Sequence, residues 1–217
     1  MKWLETIAVA FAMFSAIPVP QPVWNKQNMR YAMCAFPLIG AVIASCWCVV
    51  AWLAFQLHEI LKDPNCGAFA LIRTAVYLLV YAGFCAQWRA DAYGFCGAAA
   101  SFVASRCLSG WAVAGFPLAK NTGLAHTFAQ SSDKKKVRIT LAVLFAGIST
   151  LLVALFGIRG LFPVMAGLLV FVRYYVVAKK EFGGITGDLA GWFLQRCELA
   201  MLAAVVLGQL GRSLQWF

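Results

Sequence analysis

The residues that could do chemistry are concentrated in two short polar runs, each placed between long apolar segments. One is Glu59-Ile60-Leu61-Lys62-Asp63-Pro64, and the other is Gly183-Gly184-Ile185-Thr186-Gly187-Asp188. In the second run the glycines allow backbone amides to face an anion, and the following helix start adds positive dipole. Thr186 could donate to a phosphate and Asp188 could bind Mg²⁺. A structural interpretation fits equally well, because Gly183 is suited to end one helix and Asp188 to cap the next.

The first run allows the same two interpretations. In the functional one, Asp63 is a metal ligand and Lys62 a phosphate partner, while Gly67 lets a substrate approach the backbone. In the structural one, Asp63 caps a helix that begins with Pro64. The residues alone leave both open.

A third candidate, Ser105-Arg106, falls well inside an apolar segment. An arginine at membrane depth is costly and marks either a functional site or an ion pair with a neighbouring helix. A side chain that snorkels to the surface is the remaining possibility. Glu198 lies closer to a segment end, where snorkelling accounts for it.

The composition places these residues in an integral membrane protein. Of 217 residues, 63% are hydrophobic and only 12% are charged, whereas soluble domains are about half apolar and a quarter charged. We therefore expect an all-α polytopic bundle forming one membrane domain, residues 1–217. The net charge is +10, but the sequence contains no soluble basic domain, and this argues against nucleic-acid binding. The eight cysteines include no Cys-x-x-Cys pair, so neither a zinc site nor a disulfide framework is predicted.

Hydropathy predicts about six membrane spans after a short apolar segment at residues 4–16. The spans are placed at residues 31–57, 67–87, 92–118, 139–158, 161–178 and 189–210. Strict alternation then puts the loops at residues 59–66, 120–138 and 179–188 on one face and Arg30 on the other. The excess of Lys and Arg predicts that the three loops are cytoplasmic. The run Lys134-Lys135-Lys136 is either an orientation signal or a contact for anionic lipid.

Four stretches, in order along the chain, resemble one family, the adenosylcobinamide-GDP ribazoletransferases or cobalamin synthases of bacterial vitamin B12 assembly. They are Phe14-Ser15-Ala16-Ile17-Pro18-Val19-Pro20 with Phe36-Pro37-Leu38-Ile39-Gly40, the first polar run with Gly67-Ala68-Phe69-Ala70, Ala104-Ser105-Arg106 with Gly123-Leu124-Ala125, and the second polar run with Glu198-Leu199. The resemblance implies a multi-pass enzyme of the bacterial inner membrane that requires Mg²⁺. It also implies phosphoryl transfer at the cytoplasmic face, in which adenosylcobinamide-GDP is joined to α-ribazole or its phosphate and GMP is released.

The resemblance also implies roles for individual residues. Lys62, Asp63, Arg106 and Asp188 become the catalytic candidates, with Asp63 and Asp188 as metal ligands. The expected substrate-binding residues are Gly67, Ser105, Gly183, Gly184, Thr186 and Gly187. The partners implied are the two substrates and the lipid bilayer, and a homo-oligomer is compatible with the family.

The chain departs from the family at one place. After Phe36-Pro37-Leu38-Ile39-Gly40 the family has a further hydrophobic segment and a carboxylate-rich loop of the form His-x-Asp-Gly-x-x-Asp-x-x-Asp. In this chain Leu57-His58 runs directly into Glu59. A catalytically impaired family member is therefore one alternative. A non-enzymatic polytopic protein, such as a small transporter, is another.

Overall fold

A computed structural model describes residues 2–15, 17–20, 22, 24–60, 91–119, 127, 130 and 132–213. These residues form helices, and the part described contains no β-strand beyond one isolated bridge between Leu118 and Ile185. The helices are α1 (Lys2–Phe14), α2 (Lys26–Met29), a 3₁₀ turn (Ala32–Cys34), α3 (Phe36–Ile60), α4 (Ala92–Gly115), α5 (Lys134–Phe156), α6 (Ile158–Glu181) and α7 (Gly187–Ser213). The predicted all-α bundle is confirmed.

Four helical segments in the described residues are long and apolar enough to cross a membrane. They are Ala32–Leu53, Lys134–Phe156, Ile158–Glu181 and Gly187–Gly211. The predicted spans at 31–57, 139–158, 161–178 and 189–210 correspond to α3, α5, α6 and α7, with ends shifted by a few residues. The predicted span at 92–118 is helical as α4, but α4 is not one of these four apolar segments. The predicted span at 67–87 lies outside the described residues.

Helix α4 occupies the centre of the bundle and packs against α3, α5, α6 and α7. Its apolar sequence contains four buried polar side chains, three serines and an arginine: Ser101, Ser105, Arg106 and Ser109. Its first residues are capped by Asp91, whose carboxylate accepts a hydrogen bond from the Gly94 amide at 2.7 Å. Polar groups are tolerated along this helix because protein, and not lipid, surrounds it.

The contacts of α4 define the two ends of the bundle. At one end Gly110 lies beside Phe36, the first residue of α3, and Trp111 stacks under Arg138 near the start of α5. We call this the basic end; its cations are Arg30, Lys134, Lys135, Lys136, Arg138, Lys179 and Lys180. At the opposite end the Asp91 carboxylate accepts from Gln209 at 2.9 Å.

The predicted grouping of loops by face is wrong in two respects. Arg30 lies at the basic end with the start of α5, where its guanidinium bonds the Asp133 carboxylate at 3.0 Å. In addition, α3 runs antiparallel to α4 from the basic end, with Trp47 against Phe95 at 6.4 Å, so Ile60 lies at the opposite end. The alternation of six spans requires Ile60 and Asp91 at different ends, whereas α3 ends and α4 begins at the same one.

An aromatic layer fills the bundle beneath the basic end. Phe116 follows the end of α4 and packs on Phe171 and Tyr174 of α6, while Tyr174 stacks on Phe193 of α7 at 4.7 Å. Tyr174 and Phe193 are completely buried. Large aromatic side chains bury much area with few rotamers, so this layer gives the loops above it a rigid base.

Candidate functional site

The loop at residues 183–188 joins α6 to α7 at the basic end. Gly183 has a φ of +67°, the left-handed conformation in which helices commonly end, and the Gly184 amide donates to the Ala178 carbonyl at 2.9 Å. The predicted role of Gly183 as a helix terminator is therefore confirmed.

Gly184 and Ile185 pair with the segment that follows α4. The Ile185 amide donates to the Pro117 carbonyl at 2.8 Å, and the Ala119 amide donates to the Ile185 carbonyl at 3.0 Å. A Cβ atom on Gly184 would lie 2.6 Å from the backbone of Pro117, Leu118 and Ala119. Only glycine permits this approach, which fixes the loop to the segment leading out of α4.

Thr186, and not Asp188, caps α7. Its Oγ1 atom accepts a hydrogen bond from the Leu189 amide at 3.2 Å, and its carbonyl accepts from the Ala190 amide at 3.0 Å. The predicted cap role of Asp188 is thus wrong, because helix α7 begins at Gly187, two residues before the predicted start at Leu189. A hydroxyl that accepts one hydrogen bond can still donate its own hydrogen, so the Thr186 hydroxyl is able to donate to a phosphate.

Asp188 sits in the first turn of α7 with its carboxylate exposed. The helix N-terminus stabilises a negative charge at this position. In the described residues no group of three or more His, Cys, Asp or Glu side chains is placed to bind a metal. Asp188 can therefore supply one carboxylate to Mg²⁺, which normally takes one or two from the protein and completes its shell with water and phosphate.

Cations lie at the same end of the bundle as this loop. Lys179 and Lys180 end α6 and are exposed, and Arg138 lies with its guanidinium 4.5 Å from the centre of the Trp111 ring. Because the exposed glycines of the loop and the α7 amides share this end, the electrostatic potential here favours a polyanion such as a pyrophosphate.

Ser105 and Arg106 lie in the interior of the bundle, away from the loop. Arg106 is 8% exposed, and its Nη1 donates to the Phe102 carbonyl at 2.8 Å and to the Glu198 carboxylate at 2.5 Å. The Ser105 hydroxyl donates to the same carboxylate oxygen at 3.2 Å. Glu198 follows Asp188 along α7 at a distance of about 15 Å, from the rise of an α-helix. The structure therefore brings Ser105 and Arg106 to Glu198, and not to Asp188.

Snorkelling does not account for Glu198, and that prediction is wrong. The carboxylate neutralises the buried arginine from the middle of α7. The sequence contains a usable signal for this pair, because a mid-span arginine needs an acidic partner and Glu198 is the only carboxylate in the predicted last span, residues 189–210. Three other predicted site residues, Lys62, Asp63 and Gly67, lie outside the described residues and follow the end of α3 that is remote from the 183–188 loop.

Comparison with known proteins supports the resemblance read from the motifs. The model of the family described as cobalamin-5-phosphate synthase matches residues 6–59 and 55–206. An adenosylcobinamide-GDP ribazoletransferase of Lachnoclostridium phytofermentans is 38% identical over 258 residues, covering 96% of this chain and 96% of the relative. One of Clostridium perfringens is 24% identical over 236 residues, covering 88% of this chain and 92% of the relative. No solved structure matches.

The alignments also bear on the expected missing segment. The alignment with the Lachnoclostridium protein spans 258 residues, more than the 217 of this chain, so that relative contains residues without a counterpart here. The two matched segments of the family overlap at residues 55–59, the junction where the sequence predicts the family's carboxylate-rich loop to be absent.

Proposed function

Because the chain belongs to the cobalamin-5-phosphate synthase family, we propose that it joins adenosylcobinamide-GDP to α-ribazole or its phosphate during cobalamin biosynthesis. The ribazole hydroxyl attacks the phosphorus attached to cobinamide, a new P–O bond forms, and the bond to GMP breaks. The hydroxyl loses its proton, and GMP leaves with the electron pair. The near-full-length identity of 38% to a ribazoletransferase is the observation that carries the proposal.

The 183–188 loop is the proposed phosphate-binding element. Phosphoryl transfer depends mainly on positioning and on spreading negative charge, which needs backbone amides and cations more than it needs a nucleophilic side chain. Gly183 and Gly187 are exposed and would allow a close approach to the backbone, and Thr186 offers one hydroxyl donor. Gly184 would contribute by holding the loop against the segment after α4. The lysines at the end of α6 add positive charge nearby.

Ser105 and Arg106 are proposed to act on this site indirectly. They bond Glu198 and so fix α4 against α7, the helix whose first turn carries Asp188. In this proposal they are positioning residues. Lys62, Asp63 and Gly67 follow the end of α3 that is remote from the 183–188 loop, so this proposal gives them no role at that loop.

Mg²⁺ is the proposed cofactor, and Asp188 fits it as one exposed carboxylate ligand. Asp63, the other expected ligand, follows Ile60 by three positions at the opposite end of the bundle, so it is not assigned to the same ion as Asp188. When bound, the ion would neutralise charge on the phosphates. The membrane bundle and the basic end support a location in the bacterial inner membrane with the 183–188 loop in the cytoplasm, since cytoplasmic loops are enriched in Lys and Arg.

The test is release of GMP from adenosylcobinamide-GDP and α-ribazole by the purified full-length chain with Mg²⁺. Asp188→Asn should lose nearly all turnover while its unfolding temperature stays close to that of the parent. Glu181→Gln is the matched control, because it removes an exposed carboxylate at the same end and should keep turnover. An active Asp188→Asn variant would remove Asp188 from the metal site.

A second candidate function is binding of the substrates without turnover. It is favoured by the family residues that have no counterpart in this chain. Retained binding of adenosylcobinamide-GDP with no GMP released by the parent chain would establish it, whereas steady GMP release would exclude it.

A further inference from the structure

Helix α1 lies across the basic end of the bundle. Trp3 near its start stacks on Tyr31 with ring centres 6.0 Å apart, and Phe14 at its end packs on Phe36 at 4.8 Å. One side is fully buried through Val9 and Ala10. Trp3 and Leu4, by contrast, are 70% and 68% exposed. A helix of about 20 Å with apolar side chains both inward and outward is suited to the interfacial region of a bilayer.

Cations lie next to the start of this helix. The Arg30 guanidinium lies 5.4 Å from the centre of the Tyr31 ring, on which Trp3 stacks, and it bonds Asp133. Asp133 in turn precedes the exposed Lys134, Lys135 and Lys136 at the start of α5. Among the described residues two acidic groups, Asp133 and the exposed Glu5 beside Leu4, thus accompany four cations, and the patch keeps a positive charge.

We propose that this patch, formed by Trp3, Leu4, Arg30, Lys134 and Lys135, is a binding surface for anionic phospholipid. The cations match the phosphate headgroup, and the exposed indole and leucine match the acyl boundary beside it. Free phosphate would use the cations but would leave Trp3 and Leu4 in water. Lipid is the occupant that fits both halves, so the lysine run is a lipid contact as well as an orientation signal.

The experiment titrates the purified full-length chain in neutral detergent with phosphatidylglycerol or phosphatidylcholine and counts bound lipid by native mass spectrometry. The charge variant is Lys134→Gln with Lys135→Gln. Its matched control is Lys179→Gln with Lys180→Gln, which removes the same charge at the same end but outside the contacts of α1. Trp3→Ala tests the apolar half, and added inorganic phosphate tests competition for the cations.

We expect tighter binding of phosphatidylglycerol than of phosphatidylcholine, and about thirty-fold weaker binding of phosphatidylglycerol in the charge variant. That factor corresponds to the loss of about 2 kcal/mol of binding free energy, about 1 kcal/mol for each of the two lysines. Trp3→Ala should weaken both lipids, and the control pair should change little. The proposal is overturned if the two lipids bind equally, if the control pair loses as much as the charge variant, or if inorganic phosphate displaces the lipid. All variants should elute as the parent does, since every substituted side chain is exposed.

Discussion

Replacing Glu198 by leucine should strongly destabilise the bundle. The substitution removes the carboxylate that accepts from both Arg106 and Ser105, and it leaves a guanidinium that is 8% exposed with only the Phe102 carbonyl and the Ser105 hydroxyl as bonded partners among the described residues. The Nε atom of Arg106 is already buried without a partner in that part of the chain. The buried charge would then be uncompensated.

Breaking a buried pair from one side costs about 3–5 kcal/mol. For a chain of this size each kcal/mol lowers the unfolding temperature by about 2–4 °C, so we expect a fall of about 6–20 °C. Arg106→Met should cost a comparable amount by leaving the carboxylate alone. The double variant Arg106→Met with Glu198→Leu should cost less than either single variant, because both charges leave together.

Thermal unfolding in detergent, followed by tryptophan fluorescence, measures these differences. Glu181→Leu serves as the control, because the Glu181 side chain is exposed and its loss should stay within about 0.5 kcal/mol. If the two single losses simply added in the double variant, the residues would be energetically independent, and the assignment of Glu198 as the partner of Arg106 would be refuted.

Three further expectations concern the loops at the basic end. Gly184→Ala should destabilise by about 1–3 kcal/mol through backbone overlap, whereas Gly191→Ala, which has open space around it in α7, should be neutral or stabilising in thermal unfolding. Thr186→Ala should cost about 1 kcal/mol and Thr186→Ser much less, since serine keeps the cap hydroxyl; equal losses would contradict the cap. The Lys136 amide, and then Arg30, hold the pKa of Asp133 below its ordinary value. The ionised Asp133 carboxylate therefore stabilises the folded state above about pH 4, and this stabilisation is lost as the pH falls further. Asp133→Asn should abolish that acid dependence of the unfolding temperature, and an unchanged dependence would assign it to another group.

The helices of the described region are predictable from the sequence because long apolar runs have few alternatives in a membrane. The predicted span at 92–118 corresponds to α4 within three residues at its end, although buried serines and an arginine interrupt it. The sides of the bundle are not predictable by counting crossings. The six-span prediction places one membrane crossing between α3 and α4, and that crossing exchanges the predicted face of every later loop relative to Arg30. The contacts of α4 with its neighbours show instead that α3 ends at the end of the bundle where α4 begins.

The candidate site is predictable in part. Glycine readily adopts the left-handed conformation in which helices end, so Gly183 could be predicted to end α6, and it does. The choice between Thr186 and Asp188 as the cap depends on where α7 begins, and a shift of about two residues lies within the uncertainty of any helix boundary. The hydrogen bond between the Ile185 amide and the Pro117 carbonyl joins distant parts of the chain. No local sequence pattern predicts such a contact.

The pairing of Arg106 with Glu198 has a consequence for how the chain is made. The two residues are 92 positions apart, so α4 leaves the ribosome well before its counter-ion is synthesised. At about 5–20 residues per second the interval is roughly 5–20 s. During that time a helix with an unneutralised arginine, worth about 2.5–3.5 kcal/mol against insertion, must be held by the translocon or by α3. Slowing translation between the two codons should therefore expose α4 to membrane proteases.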